Sequence, residues 1–371
     1  MHLSLKTGLA LAALSLTPAL TPTAARAQTG FQVVMSGLNN PHGLAFGPDG
    51  GLYVAEAGTG GHGVSIQSGD GSIVSYGATG SVSRSLHGVQ ARIITGLPSL
   101  ADQTTSPPGA GATGLQDIAF GPGGALYGVI GLGADTSLQK TAGPDFAALV
   151  RLAPSAIQKV ADLGAYETLH NPDGAERNSN PYSLAVIPSV GFVVADAGAN
   201  DVVGVSTDGR ALSTLGVFPA MPNPLPFGPP TYEFVPTAVK VGPGGDLYIG
   251  ELTGFPFPVG AADVRRLDSR TGVSTVFASG FTNIAGLAFG RDGSLYVLDL
   301  TTNGLASPTG PGPGVLIRVD PATGAHTTLA SQGLFLPTSL IAGPDNALYI
   351  SNLGTSPGGG QVLRFSLAAA K

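Results

Sequence analysis

The chain predicts an all-β fold, a six-bladed β-propeller of four-stranded antiparallel blades closed by the N-terminal strand, on three observations. Its 371 residues carry 57 Gly and 30 Pro yet are 43% hydrophobic and only 11% charged, which supplies turn formers together with ample apolar surface to bury. A Pro/Asp/Gly-like turn followed by an apolar–aromatic–apolar run recurs six times. Further strand-like runs follow the copies, so each repeat has the material of one blade.

In chain order, the first segment is an export leader rather than a structural element. Lys6 precedes an apolar stretch from Leu9 to Leu20, and Ala25-Arg26-Ala27 forms a small-x-small cleavage site. The stretch is shorter than the ~20 residues a membrane-spanning helix needs. A cut after Ala27 leaves residues 28–371 as one propeller domain, secreted or periplasmic, with no transmembrane anchor and expected to be monomeric.

The six copies are PHGLAFGPDGGLYVAEAG from Pro41, LQDIAFGPGGALYGVIG from Leu115, PYSLAVIPSVGFVVADAG from Pro181, PTAVKVGPGGDLYIGELTG from Pro236, IAGLAFGRDGSLYVLDL from Ile284 and PTSLIAGPDNALYISNLG from Pro337. Their aromatic anchors are Tyr53, Tyr127, Phe192, Tyr248, Tyr296 and Tyr349. In each, an apolar strand meets a turn of preset and positive-φ residues, and a second strand follows. Asp49, Asp292 and Asp345 are therefore turn residues. Outer strands are exemplified by Val264 to Leu267 with Val273 to Ala278, and by Val315 to Val319 with Thr327 to Ala330. The last copy supplies Val362 to Phe365 as a third strand, and Phe31 to Met35 can provide the missing fourth. That exchange closes the ring and removes the open sheet edges.

Insertions fall on one face. The turns joining the first two strands are short, whereas the long stretches (58–70, 98–114, 131–145, 164–180, 219–235, 253–261, 301–313 and 354–359) lie in second-to-third-strand loops or crossovers between blades. The exception is residues 77–89, expected as a long third-to-fourth connection in blade 1. Long loops confined to one face point to function there.

The residue ending the second strand is Glu56, Gly131, Asp196, Glu251, Asp299 and Asn352 in the six copies. Gathered at one mouth, Glu56, Asp196, Glu251 and Asp299 would repel unless protonated or bound to a hard cation, so they are the candidate metal ligands and Ca2+ the candidate cofactor. The competing role is hydrogen bonding to neighbouring backbone, which stiffens the ring. The first strand should add His42, Asp117, Tyr182, Thr237 and Thr338 at the same mouth. Asp117, Tyr182 and Asn352 are candidate ligand-binding residues, and His42, paired with Glu56 or Asp117, is a candidate base. The segment NPLPFGPP from Asn223 and Phe255-Pro256-Phe257-Pro258 offer an exposed rim for a partner or a packed cap.

The absence of Cys excludes thiolate metal sites, disulfides and cysteine nucleophiles. A net charge of −6 without a basic block argues against nucleic acid. No phosphate-binding loop or dinucleotide fingerprint follows a strand into a helix, so the many Gly residues are read as turn glycines.

The copies resemble the NHL and lactonase-type propellers. Two segments, Ala165-Tyr166-Glu167 followed by NPDGAERNSNPYSL (171–184) and VPTAVKVGPGGDLYIGELTGFPFPVGAADVRRL (235–267), resemble signatures of the ScyD/ScyE family of exported proteins across essentially the whole mature chain. That resemblance implies export and a propeller but no reaction. The calcium-dependent lactonases hold metal with Glu, Asn and Asp at first-strand starts. Here those positions are His42, Asp117, Tyr182, Thr237, Gly286 and Thr338, so only Asp117 matches. No His/Arg/Lys set matches the cofactor pocket of the quinoprotein sugar dehydrogenases. The expectation is a protein that presents loops and an acidic mouth to a small molecule, glycan or protein. The alternative is a metal-dependent, lactonase-like hydrolase at the channel.

Overall fold

The computed structural model describes residues 30–154, 156–187 and 190–367, so the leader and its cleavage site lie outside the described residues. Six antiparallel four-stranded blades form a ring. The inner strands are Pro41–Phe46, Leu115–Phe120, Pro181–Ile187, Pro236–Val241, Ile284–Phe289 and Ser339–Ala342. The second strands are Leu52–Glu56, Leu126–Ile130, Gly191–Asp196, Leu247–Glu251, Leu295–Asp299 and Ala347–Asn352. Third and outer strands follow in order, from Ile73–Leu86 with Val89–Ala101 in blade 1 to His326–Ala330 at the edge of blade 5. The sixth blade ends in Gly360–Ser366 and takes its outer strand, Phe31–Leu38, from the start of the chain, with Phe31 opposite Phe365 and Leu38 opposite Gly360.

The turn between the first two strands shows why the motif recurs. In Gly47-Pro48-Asp49-Gly50, the Gly50 amide donates to the Gly47 carbonyl at 2.9 Å, and Gly50 lies at φ 78°, a conformation Gly adopts without strain. Asp49 accepts from the Gly51 amide and the Tyr53 hydroxyl and pairs with Arg84 on the third strand. The same pairing joins Asp246 to Arg266, Asp292 to Arg318 and Asp345 to Arg364. The turn acids are structural, as expected, but their arginine partners were not read from the sequence.

Packing between blades makes the core. The fourth residue of each repeat copy's first strand (Leu44, Ile118, Leu184, Val239, Leu287, Leu340) is at most 3% exposed and sits among apolar clusters. Second-strand aromatics reach the next blade: Tyr53 meets Phe120 edge-on at 4.9 Å, Tyr248 meets Phe289 at 4.8 Å, and Tyr349 meets Phe46 at 5.1 Å. Each such pair adds about 0.5–1.5 kcal/mol beyond its buried area.

Residues 77–89 correct the sequence expectation. They are not a long connection but the arms of an extended hairpin that turns at His87 and Gly88, both at positive φ, a two-residue turn matched to strand twist. Register shifts at Gly77 and Gly80 accommodate the glycines that suggested a loop. On the opposite end the loop 57–72 contains a short strand, Ser65–Gln67, paired to the start of Ile73–Leu86. Among the described residues, no helix is long and apolar enough to cross a membrane.

A chain starting at residue 39 lacks the outer strand of blade 6. It should unfold at a lower denaturant midpoint than the mature chain and associate through the bared edge, as size-exclusion chromatography can detect. An unchanged midpoint with a monomeric profile would remove closure as the source of stability.

Candidate functional site

Inner strands from all six blades line the axis. In five of them a register shift follows the first residue of the strand, leaving His42 with Gly43, Gln116, Tyr182, Thr237 and Ala285 out of the ladder. The axial space is about 10 Å³, room for roughly one water. Gly43, Asp117, Ser183, Lys240 and Ser339 are among its lining residues.

Small residues and side-chain bonds permit this crowding. A Cβ on Gly43 would fall 1.9 Å from Asp117 Oδ1, and one on Gly286 would fall 2.8 Å from the Leu340 nitrogen. Asp117 Oδ2 accepts from Ser183 Oγ at 3.1 Å and from the Leu184 amide at 2.8 Å, joining blades 2 and 3. Ser183 Oγ accepts from Val239, and Thr237 Oγ1 donates to the Ile284 carbonyl. At the seam, Thr338 Oγ1 donates to the Pro41 carbonyl at 2.6 Å and Ser351 Oγ to the His42 carbonyl at 2.5 Å.

Three candidates from the sequence do meet here. His42 lies edge-on to Tyr182 at 5.7 Å, and Asp117 acts electrostatically on Tyr182. Burial lowers the His42 imidazole to about 4 and leaves its Nδ1 without a hydrogen-bond partner. Burial raises the Tyr182 phenol, with Asp117 adding to the rise. The Asp117 carboxyl is raised by burial, while Lys240 and its hydrogen bonds act against that. His42 makes no hydrogen bond to Glu56 or Asp117, so neither expected base pair is formed.

The second-strand carboxylates are not brought together. Glu56 is fully buried inside blade 1, where Ser83 Oγ, the Asn39 amide and Arg92 donate to it, with Arg92 at 2.8 Å. Asp196 accepts from Ser179 Oγ and from the Asn180, Gly198 and Ala199 amides. Glu251 accepts from the Asp263 amide and Asp299 from the Thr282 amide. Asn352 accepts from the Phe335 amide and donates to the Gly333 carbonyl. Glu56, Asp196, Asp299 and Asn352 thus hold the crossover entering their own blade, which is the backbone-bonding role rather than a shared mouth. Among the described residues, no three His, Asp or Glu form a group able to hold a metal.

Sequence reading missed Lys240, Gln116 and Arg92. Lys240 had a visible signal: it occupies the position held by Ala45, Ala119, Ala185, Ala288 and Ile341 in the other copies. The reach of Arg92 across the blade had none.

A larger space, about 380 Å³, lies among the loops on the insertion-rich face. Gln67 to Gly71 wall it on one side, Asp135 and Leu138 on another, and Glu176, Arg177 and Asn178 of the blade 2–3 crossover on a third. Asp70 is fixed by Ser72, whose amide and hydroxyl both donate to it. Asp135 caps the turn below it by accepting from the Ser137 amide. The rim segment from Asn223 folds on itself, with the Asn223 side chain donating to the Phe227 and Pro229 carbonyls and Phe227 left 53% exposed.

These features define a six-bladed β-propeller whose axis is filled and whose loops are gathered on one face. No known family profile and no curated protein matches the chain by sequence. Solved structures do share the fold. A putative gluconolactonase matches at TM-score 0.52 and 13% identity, covering 92% of this chain and 93% of its own. A calcium-binding protein, regucalcin, from Agrobacterium tumefaciens matches at TM-score 0.53 and 13% identity, covering 91% and 93%. A streptogramin B lyase matches at TM-score 0.49 and 11% identity, covering 92% and 100%.

Two outcomes follow from the buried acids. Arg92→Ala leaves Glu56 buried without its cation and should cost about 2–3 kcal/mol in denaturant unfolding, a figure reduced for the partial exposure of Arg92. A loss below about 0.5 kcal/mol would show the pair to be energetically idle. Burial raises Glu251 and Asp299 to about 8. The folded chain therefore holds more protons than the unfolded one between the ordinary carboxylate range near 4 and about pH 8, and stability from these groups falls as pH rises through that window. Asp299→Asn should flatten this slope when unfolding is compared at pH 5 and pH 8; an unaltered slope would refute the assignment.

Proposed function

We propose that this chain is an exported, ligand-binding propeller of the ScyD/ScyE type that takes a hydroxyl-rich small molecule or glycan in the groove on its loop-bearing face. The observation that carries the reading is the contrast between the two spaces. The axis has room for about one water, whereas the groove, at about 380 Å³, is within the size range of small-ligand sites.

The groove chemistry suits a polyol. Asp70, Asp135 and Glu176 offer acceptors for ligand hydroxyls, Gln67 and Arg177 offer donors, and Leu138 gives an apolar contact. Hydrolysis at the axis, the lactonase-like alternative, has weaker support. His42 is neutral near pH 7 but, at about 4, is a poor proton acceptor, and the filled axis leaves a substrate no seat. The leader ending at Ala27 directs the reading outside the cytoplasm.

The test uses the mature chain on a saccharide array, followed by titration calorimetry with any saccharide retained. Arg177→Ala combined with Asp135→Ala should weaken binding at least roughly tenfold, the loss of one to two hydrogen bonds to charged groups, while His42→Ala leaves it unchanged. Loss of binding in His42→Ala with full binding in the groove variant would move the site to the axis.

A further inference from the structure

The crossover from blade 2 to blade 3 and the tight turn of blade 3 enclose a second polar centre, separate from the axis. The helix Leu163–His170 ends at Asn171, and the chain then passes Asp173 and Asn178 before entering Pro181–Ile187. Facing it, Asp196 and Asp201 lie directly opposite one another across the second and third strands of the blade. Like charges so placed repel.

Asp196 is saturated by one hydroxyl and three amides. Asp201 differs. It is 1% exposed and neither carboxylate oxygen has a hydrogen-bond partner, while the charges acting on it, from Asp196, Glu167 and Asp173, are all negative. Two carboxamides share the region. Asn200, 4% exposed, donates to Asp173 Oδ2 at 3.0 Å, which leaves its Oδ1 unpartnered. Asn178, 3% exposed, also has an unpartnered Oδ1, and a Cβ built on Gly198 of the turn would fall 2.5 Å from it.

The unpartnered oxygens named here are all acceptors. One water donates only two hydrogens and brings no positive charge. A hard divalent cation takes six to eight oxygen ligands from carboxylates, carboxamides and waters, and neutralises the repulsion between the acids. We propose that this centre is a calcium-class cation site, with Asp201 and Asp173 as charged ligands, Asn178 and Asn200 as carboxamide ligands, and Glu167 adding negative charge beside them. Two of the four ligands are carboxylates and two are carboxamides, with Glu167 outside the ligand set, so the site needs no three-acid group, which the described residues lack. Asn178 also walls the groove, so the cation would brace that wall, but the site stands whether or not a saccharide binds there.

The mature chain, stripped with EDTA and dialysed, is titrated with Ca2+ and with Mg2+ by calorimetry and melted with and without each ion. The expected result is about one Ca2+ per chain and a higher Tm with the ion. Asp201→Asn should lose at least roughly tenfold in Ca2+ affinity, because affinity follows ligand charge. It should also raise the Tm of the stripped protein, since it replaces one of two acids that lie opposite each other across the strands. Asn178→Ala, which leaves the acids in place, should weaken binding as well and serves if Asp201→Asn does not fold. The proposal is overturned if the wild-type chain binds neither ion. It is equally overturned if Asp201→Asn and Asn178→Ala bind as wild type, or if binding is lost in Glu251→Gln instead.

Discussion

Closure of the ring at one seam is the constraint on which the other features rest. Five blades are continuous in sequence; the sixth borrows Phe31–Leu38 from the far end of the chain. Side chains reinforce the seam. Gln90 exchanges hydrogen bonds with the backbone of Ser36, Arg92 donates to the Gly37 carbonyl and clasps Glu56, and Glu56 accepts from the Asn39 amide. A buried carboxylate that would be costly alone becomes the centre of a clasp between blade 1 and the closing strand.

Closure forces six inner strands around one narrow axis, and this governs what each may carry. Gly43 and Gly286 exist where a Cβ would strike the neighbouring blade, while Asp117, Ser183 and Thr237 turn close approach into hydrogen bonds. The axial polar residues thereby become fasteners. Space for a ligand opens instead where blade geometry no longer constrains the chain, among the loops.

The same logic explains the acids at the ends of the second strands. A crossover arriving from an outer strand must satisfy its amides as it dives to the axis, and Glu56, Asp196, Asp299 and Asn352 accept from them. Their recurrence from repeat to repeat thus follows from recurrent backbone need. Asp201, which accepts no such amide, stands apart for that reason.

Blade number, blade order and the closing strand were legible in the sequence, because turn chemistry and the alternation of apolar residues are local and repeat with the blade. The face bearing the loops was legible too, since strand count decides which end of a blade each connection occupies. The destination of side chains was not. Glu56 and Asp299 look alike in the sequence, but whether such a group converges on an axis or turns into its own blade depends on bulges and on partners as distant as Arg92, a matter of three-dimensional packing. His42, Asp117 and Tyr182 were placed together by their positions on inner strands, whereas the filled axis between them, the groove beside Arg177 and the unpartnered Asp201 arise only where segments far apart in the chain meet.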